Sequence, residues 1–354
     1  MGSQFLTDFN FYAKPEGVVT AVMIFVDFGD ACAGSSSPDE VARHMLGNGH
    51  AQQLFRDQSY QKMTLDVTVR SDLGWRRMPE CTTAYQTHGT SEEHRKYLED
   101  AARLFSAEVK FSDYALVLVA TPGNADLGGA SSFTVRSGHG AQSVSGEVRL
   151  AVTFDQRSHE SYVSLVHEMG HLFGLPDLYP LGMTAEKSSA GSWSVMSDRY
   201  RSSSFLGFER YKNGWLNSSR TTYIPDTTAG WSATLHPLSN PGGLSMIVLP
   251  VDQGVNPSKV FVIELAQPLL GLNGQYWGDG VLLYTVDATI PSGSSPVVVI
   301  PKTDGHSPDY GNLYMAPCRV GESLPFSEGV ASGILTVVQK LGSSYEVKID
   351  YKRS

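Results

Sequence analysis

The stretch Tyr162-Val163-Ser164-Leu165-Val166-His167-Glu168-Met169-Gly170-His171-Leu172-Phe173-Gly174-Leu175-Pro176-Asp177 decides how this chain is read. Tyr162, Leu165, Val166, Met169, Leu172 and Phe173 recur at steps of three and four, which predicts a helix with an apolar face. On that helix His167 and His171 lie one turn apart and point the same way, so two imidazoles can reach one metal ion. Glu168 follows the first of them and can approach an attacking water without ligating, as a general base must. Gly174 lets the backbone turn out of the helix, and Pro176 prevents its continuation, so Asp177 can return as a third ligand. Three protein ligands with one open position suit a catalytic zinc ion, whereas four protein ligands would close a structural site. The expected ligands are therefore His167, His171 and Asp177, with Glu168 as the catalytic residue.

Downstream, Gly191-Ser192-Trp193-Ser194-Val195-Met196 follows the third ligand by about twenty residues, the order in which metzincins place a methionine-bearing turn beneath the metal. Upstream, Val18–Val26 and Ala115–Ala120 are continuous apolar runs, as expected of strands covered on both faces. Met63–Val69 alternates at period two and predicts a half-exposed strand. Helical patterns lie at Pro38–Leu46 and Ser91–Ala107, the second capped at Ser91. This interleaving predicts an α/β (α+β) layer, with the catalytic domain spanning residues 1–220. From Thr221 short β-branched runs recur between Gly, Pro, Asn and Ser, so residues 221–354 read as a β-rich, sandwich-like accessory domain. The strand Val148–Thr153, just before the active helix, is the candidate edge against which an extended polypeptide substrate would pair.

In 354 residues, 41% are hydrophobic and 18% charged, which allows a sizeable core. A net charge of −9 argues against nucleic-acid binding, which needs a basic face. No apolar run approaches the roughly 20 residues of a membrane span, and a monomer is expected. Met1–Leu6 carries neither a basic region nor an apolar core, so no signal peptide is visible there. Cys32, Cys81 and Cys318 are too few and too scattered for a disulfide framework or a cysteine metal site. His88, His94, His139, His159, His236 and His306 stand isolated and read as surface or satisfied core residues. Asp126, Asp304 and Asp309 are candidate ligands of a structural calcium ion, without EF-hand spacing.

The extended motif, continuing Gly174-Leu175-Pro176-Asp177-Leu178-Tyr179, closely resembles that of the M6 peptidases, the immune inhibitor A-like zinc metalloproteases. Val26–Asp30 looks like that family's first core strand. Ser59-Tyr60-Gln61-Lys62 resembles its Ser-Tyr-Gly-Lys tract with Gln61 in place of glycine, and Gly207–Leu216 resembles its Lys-x-x-Gly-Trp-Leu stretch, here with the single residue Asn213 between Lys212 and Gly214. Phe261–Leu265 and Gly280–Asp287 resemble two of its later strands. The resemblance spans most of residues 17–290 and implies a metzincin-like catalytic domain, zinc proteolysis of polypeptides, and secretion as in most relatives. Asp198 stands two residues after Met196, where some metzincins carry a metal-linked tyrosine, and Tyr200 is the nearby candidate for stabilising an oxyanion. A catalytically idle zinc-binding protein on the same fold remains an alternative, as does a narrow intracellular processing peptidase. Localisation stays open between the two compartments.

Overall fold

The eleven residues Gly17–Asp27 form β1, and seven of them from Ala21 onward are buried without a break. A strand with no exposed face must lie inside a sheet covered on both sides. The computed structural model describes residues 7–154, 162–181, 188–199, 202, 204–253, 257–266, 269–270, 276–277, 279–302 and 310–353. They divide into two compact units, Thr7–Leu175 and Pro176–Ser354. The whole is mixed α/β, rich in strands, with several sheets and few helices.

In the N-terminal unit β1 is followed by helices α1 (Pro38–Met45) and α2 (His50–Gln58), then β2 (Met63–Val69) and β3 (Arg76–Arg77). Next come α3 (Ser91–Phe105), β4 (Leu116–Ala120), β5 (Ser131–Thr134), β6 (Ala141–Ser143), β7 (Gly146–Val148), β8 (Leu150–Phe154) and α4 (Tyr162–Leu172). The main sheet runs β2-β1-β4-β8-β5, with β3 pairing the end of β1. Its pairs are parallel except the last, where β5 runs antiparallel to β8. Val22, Ile24 and Val26 of β1 join Val117, Val119 and Ala151 beneath Tyr97, Leu98, Ala101 and Phe105 of α3. Each valine, isoleucine, leucine or phenylalanine among them taken fully from water contributes ~1.5–3 kcal/mol. Alternate residues Ala21, Met23 and Phe25 point to the other face and are equally buried.

Two expectations change here. The substrate-pairing edge is not Val148–Thr153, because β8 is hydrogen-bonded on one side to β4 and on the other to β5. All five residues of β8 are buried, as an inner strand requires; β5 is the outer strand, and α4 packs against both. The cap of α3 is Thr90 rather than Ser91. Its Oγ1 accepts from Glu93 N at 3.3 Å while Glu93 Oε2 accepts from Thr90 N at 2.7 Å. That reciprocal pair needs a glutamate three residues after the cap, which only Thr90 has.

The C-terminal unit contains α5 (Gly207–Lys212) and, after it among the described residues, short 3-10 turns and the strands β9 (Thr221–Tyr223), β10 (Thr227–Leu235), β11 (Met246–Pro250), β12 (Lys259–Leu265), β13 (Leu269–Leu270) and β14 (Tyr276–Trp277). They continue with β15 (Val281–Asp287), β16 (Val297–Val299), β17 (Ser323–Glu328), β18 (Ala331–Leu341) and β19 (Ser344–Arg353). One sheet runs β16-β15-β12-β11-β9 and another β10-β19-β18-β17, while β13 and β14 pair with each other. Ile247, Leu249, Phe261, Ile263 and Leu283 from the first share one core with Leu335, Val337, Val347, Ile349 and Tyr351 from the second. Two sheets each burying one face against the other leave alternate residues outside. Residues 176–220 pack with the later strands. Ser189 Oγ donates to Val297 O at 2.6 Å, Trp193 Nε1 to Leu313 O at 3.0 Å, and Gly207 N to Glu264 Oε2 at 2.8 Å.

Candidate metal centre

Helix α4 is more deeply covered than an amphipathic surface helix. Leu165, Val166, Met169 and Leu172 are fully buried, and so are His167 and Glu168, at 1% and 5% exposure. The helix stops where the sequence requires. Gly174 adopts φ +85°, its N–H donates to His171 O at 2.9 Å, and Leu175 N donates to Gly170 O at 3.0 Å. Those two bonds form a Schellman cap and satisfy carbonyls the helix leaves open. A Cβ at Gly174 would also meet Thr7 Cγ2 at 2.7 Å, so glycine is needed for room as well as for φ.

The same turn orients a candidate ligand. His171 Nδ1 lies 2.8 Å from Leu175 O. A carbonyl can only accept, so Nδ1 carries the proton and Nε2 keeps its lone pair for a metal. The His167 and His171 rings stand 4.8 Å apart between centroids, nearly perpendicular at 87°. His167, His171 and Asp177 each offer one ligand atom, and these atoms lie within 4.8 Å of one another. A tetrahedral zinc site with bonds of about 2.0–2.1 Å spaces its ligand atoms ~3.4 Å apart, a small side-chain rotation from that limit. Two imidazole nitrogens and one carboxylate oxygen, with a fourth position left open, fit zinc.

Asp177 is held by a segment the sequence reading did not single out. Asp177 N donates to Ser292 Oγ at 2.8 Å, and Ser292 Oγ donates to Asp177 Oδ2 at 3.3 Å. Gly293 N donates to Asp177 O at 3.1 Å, and Leu181 N to Gly293 O at 3.0 Å. The methionine turn reaches the same segment, because Leu178 N donates to Met196 O at 3.0 Å. Behind the turn, Met196 N donates to Ser194 Oγ at 3.0 Å, and Ser194 Oγ donates to Glu209 Oε2 at 2.7 Å. Glu209 also accepts from Leu206 N at 2.7 Å. Burial pushes the Glu209 carboxyl up to about 7 and repulsion from Glu264 adds to it, against the hydrogen bonds from Ser194 and Leu206. Burial likewise raises Glu264 to about 7, opposed by the Tyr284 hydroxyl, at 2.8 Å, and by the Arg210 charge.

Met196 is fully buried in its turn. Asp198 is buried, and its Oδ2 accepts from Ser192 Oγ at 2.6 Å. Tyr200, Asp304, Asp309, His159 and His306 lie outside the described residues. Asp126 is exposed, with Oδ1 accepting from Gly128 N at 3.3 Å, and it belongs to no group of three metal donors among the described residues. His94 is a satisfied core residue, its Nε2 3.1 Å from Thr153 Oγ1, with burial lowering its pKa to about 3. Cys32, Cys81 and Cys318 are free thiols. Gln61, standing where the M6 tract has glycine, adopts φ +62°. No helix among the described residues is long and apolar enough to cross a membrane.

Neither a protein-family model nor a curated protein matches this sequence. Among solved structures, it is similar to catalytically inactive OgpA from Akkermansia muciniphila in complex with an O-glycopeptide substrate, glycodrosocin. The TM-score is 0.31 at 9% identity, covering 100% of this chain and 99% of that one. Wild-type OgpA from the same organism gives a TM-score of 0.32 at 9% identity, with the same coverage. Scores of this size establish neither a shared fold nor a shared activity.

Proposed function

We propose that the chain is a zinc-dependent endopeptidase with a metzincin-like catalytic part, in line with the stretches that resemble M6 peptidases. The observation that carries this reading is the convergence of His167, His171 and Asp177 within 4.8 Å, with Glu168 beside the first ligand on the same helix. His167 and His171 would hold the ion through imidazole nitrogens and Asp177 through a carboxylate oxygen. When bound in such a site, zinc supplies Lewis acidity toward a carbonyl oxygen and makes water a better acid. Glu168 takes one proton as water attacks the peptide carbonyl carbon, and delivers it to the nitrogen as the C–N bond breaks. Burial of Glu168 keeps bulk water from competing for that proton. The polypeptide would pair along β5, the outer strand beside α4, rather than along β8.

Metal analysis of the purified protein, alongside digestion of a peptide library before and after chelation, tests the reading. Zinc at one equivalent and chelator-sensitive cleavage restored by added zinc are expected. Undiminished cleavage in metal-free protein would overturn it, and zinc binding without cleavage would leave a catalytically idle zinc-binding protein.

A further inference from the structure

We infer that Ser292, on the loop between β15 and β16, is a positioning residue of the metal centre, setting the third ligand from a place 115 residues along the chain. The inference rests on the zinc reading of His167, His171 and Asp177. Ser292 Oγ both accepts from the Asp177 main chain, at 2.8 Å, and donates to the Asp177 carboxylate, at 3.3 Å. One hydroxyl thus ties the backbone of a ligand to its own side chain and restricts the carboxylate's rotation. Gly293 fastens the neighbouring carbonyl by its N–H and receives Leu181 N on its own carbonyl. Residues 177–181 are therefore bonded at both ends to the Ser292-Gly293 pair.

The loop is built to hold that pair still. Asp287 N donates to Pro296 O at 2.9 Å and closes its base. Thr289 donates to Asp287 Oδ1 from both N, at 2.9 Å, and Oγ1, at 2.6 Å. Gly293 sits at φ +71°, a backbone region that favours glycine, and a Cβ there would push the exposed Leu181 side chain aside. Partners that orient a ligand are worth about 10–100-fold in metal affinity. Ser292 is exposed, so water can replace part of what its removal takes away, and the expected loss lies near the low end.

The test measures zinc affinity by competition with a chromophoric chelator in the full chain, with circular dichroism as the folding check. Ser292→Ala should weaken zinc binding about tenfold, Ser292→Thr should return it to within about twofold of wild type, and Ser294→Ala on the same loop should leave it unchanged. Gly293→Ala should lose at least as much as Ser292→Ala, because it strains the backbone and displaces Leu181 together. A folded Ser292→Ala protein within about threefold of wild type overturns the assignment. So does a Thr variant as weak as the Ala variant, since the hydroxyl would then not be the cause. Wild-type protein that takes up no zinc refutes the site reading itself, and so is told apart from failure of the clamp alone.

Discussion

Raising the pH from 5 to 8 should destabilise the C-terminal unit through Glu209 and Glu264. Both carboxyls are fully enclosed, and Glu264 Oε1 finds no hydrogen-bond partner among the described residues. Their folded pKa values, about 7, lie above the ordinary glutamate value of 4.5. Between those values the folded unit keeps protons that the unfolded chain has released, so stability falls as pH rises. The contribution is fully present below about 4.5 and is lost as pH passes through about 7. At 1.36 kcal/mol per pKa unit, one such acid changes stability by about 3 kcal/mol, and its neighbour adds with the same sign. Urea unfolding at half-unit pH steps, followed by fluorescence of the buried Trp193 and Trp215, measures the slope. Glu264→Gln should flatten it, because an amide can accept from Tyr284 and Gly207 but cannot ionise. A wild-type stability that is level or rising from pH 5 to 8, or a slope unchanged in Glu264→Gln, would refute the reasoning.

Glu168→Gln should lower single-turnover peptide cleavage about a hundred- to ten-thousand-fold while leaving zinc content and melting temperature near wild type; a few-fold change would remove Glu168 as the base. Asp177→Ala should weaken zinc retention, read by competition with a chelator, because it leaves two imidazoles as the protein ligands. Unaltered metal content and rate would place the third ligand elsewhere. Gln61→Gly should stabilise the N-terminal unit by up to about 1 kcal/mol in urea unfolding, since relief of the left-handed backbone exceeds glycine's entropic cost. On the acid side, His94 contributes stability that is present above pH 6.5 and lost as pH falls toward 3. Replacing it with Gln should therefore flatten the acid limb of that unit's stability curve.

What could be read in advance followed local rules. β1, β4 and β2 announced themselves because a strand covered on both faces is continuously apolar, whereas a half-covered one alternates. The ligand turn was legible because Gly174 and Pro176 act within a few residues of His171. Strand order was not, since hydrophobicity says that a strand is buried without saying which neighbours bury it. The short polar Ser131-Ser132-Phe133-Thr134 therefore escaped notice as β5, and its neighbour was mistaken for the edge. The cap at Thr90 was available, because Glu93 lies three residues after it while His94 lies three after Ser91. Ser292 offered no such cue; its partner is set by how distant strands pack.

The span between Asp177 and Ser292 also acts as a clock. A ribosome adds roughly 5–20 residues each second, so the 115 positions between them take about 6–23 s to synthesise. During that interval His167, His171 and Asp177 have already been made, yet the hydroxyl that bonds the Asp177 carboxylate has not. A newly made chain thus carries Asp177 for those seconds without the long-range bonds that fix its main chain and carboxylate, and the local order of residues 177–181 waits on the synthesis of a distant loop.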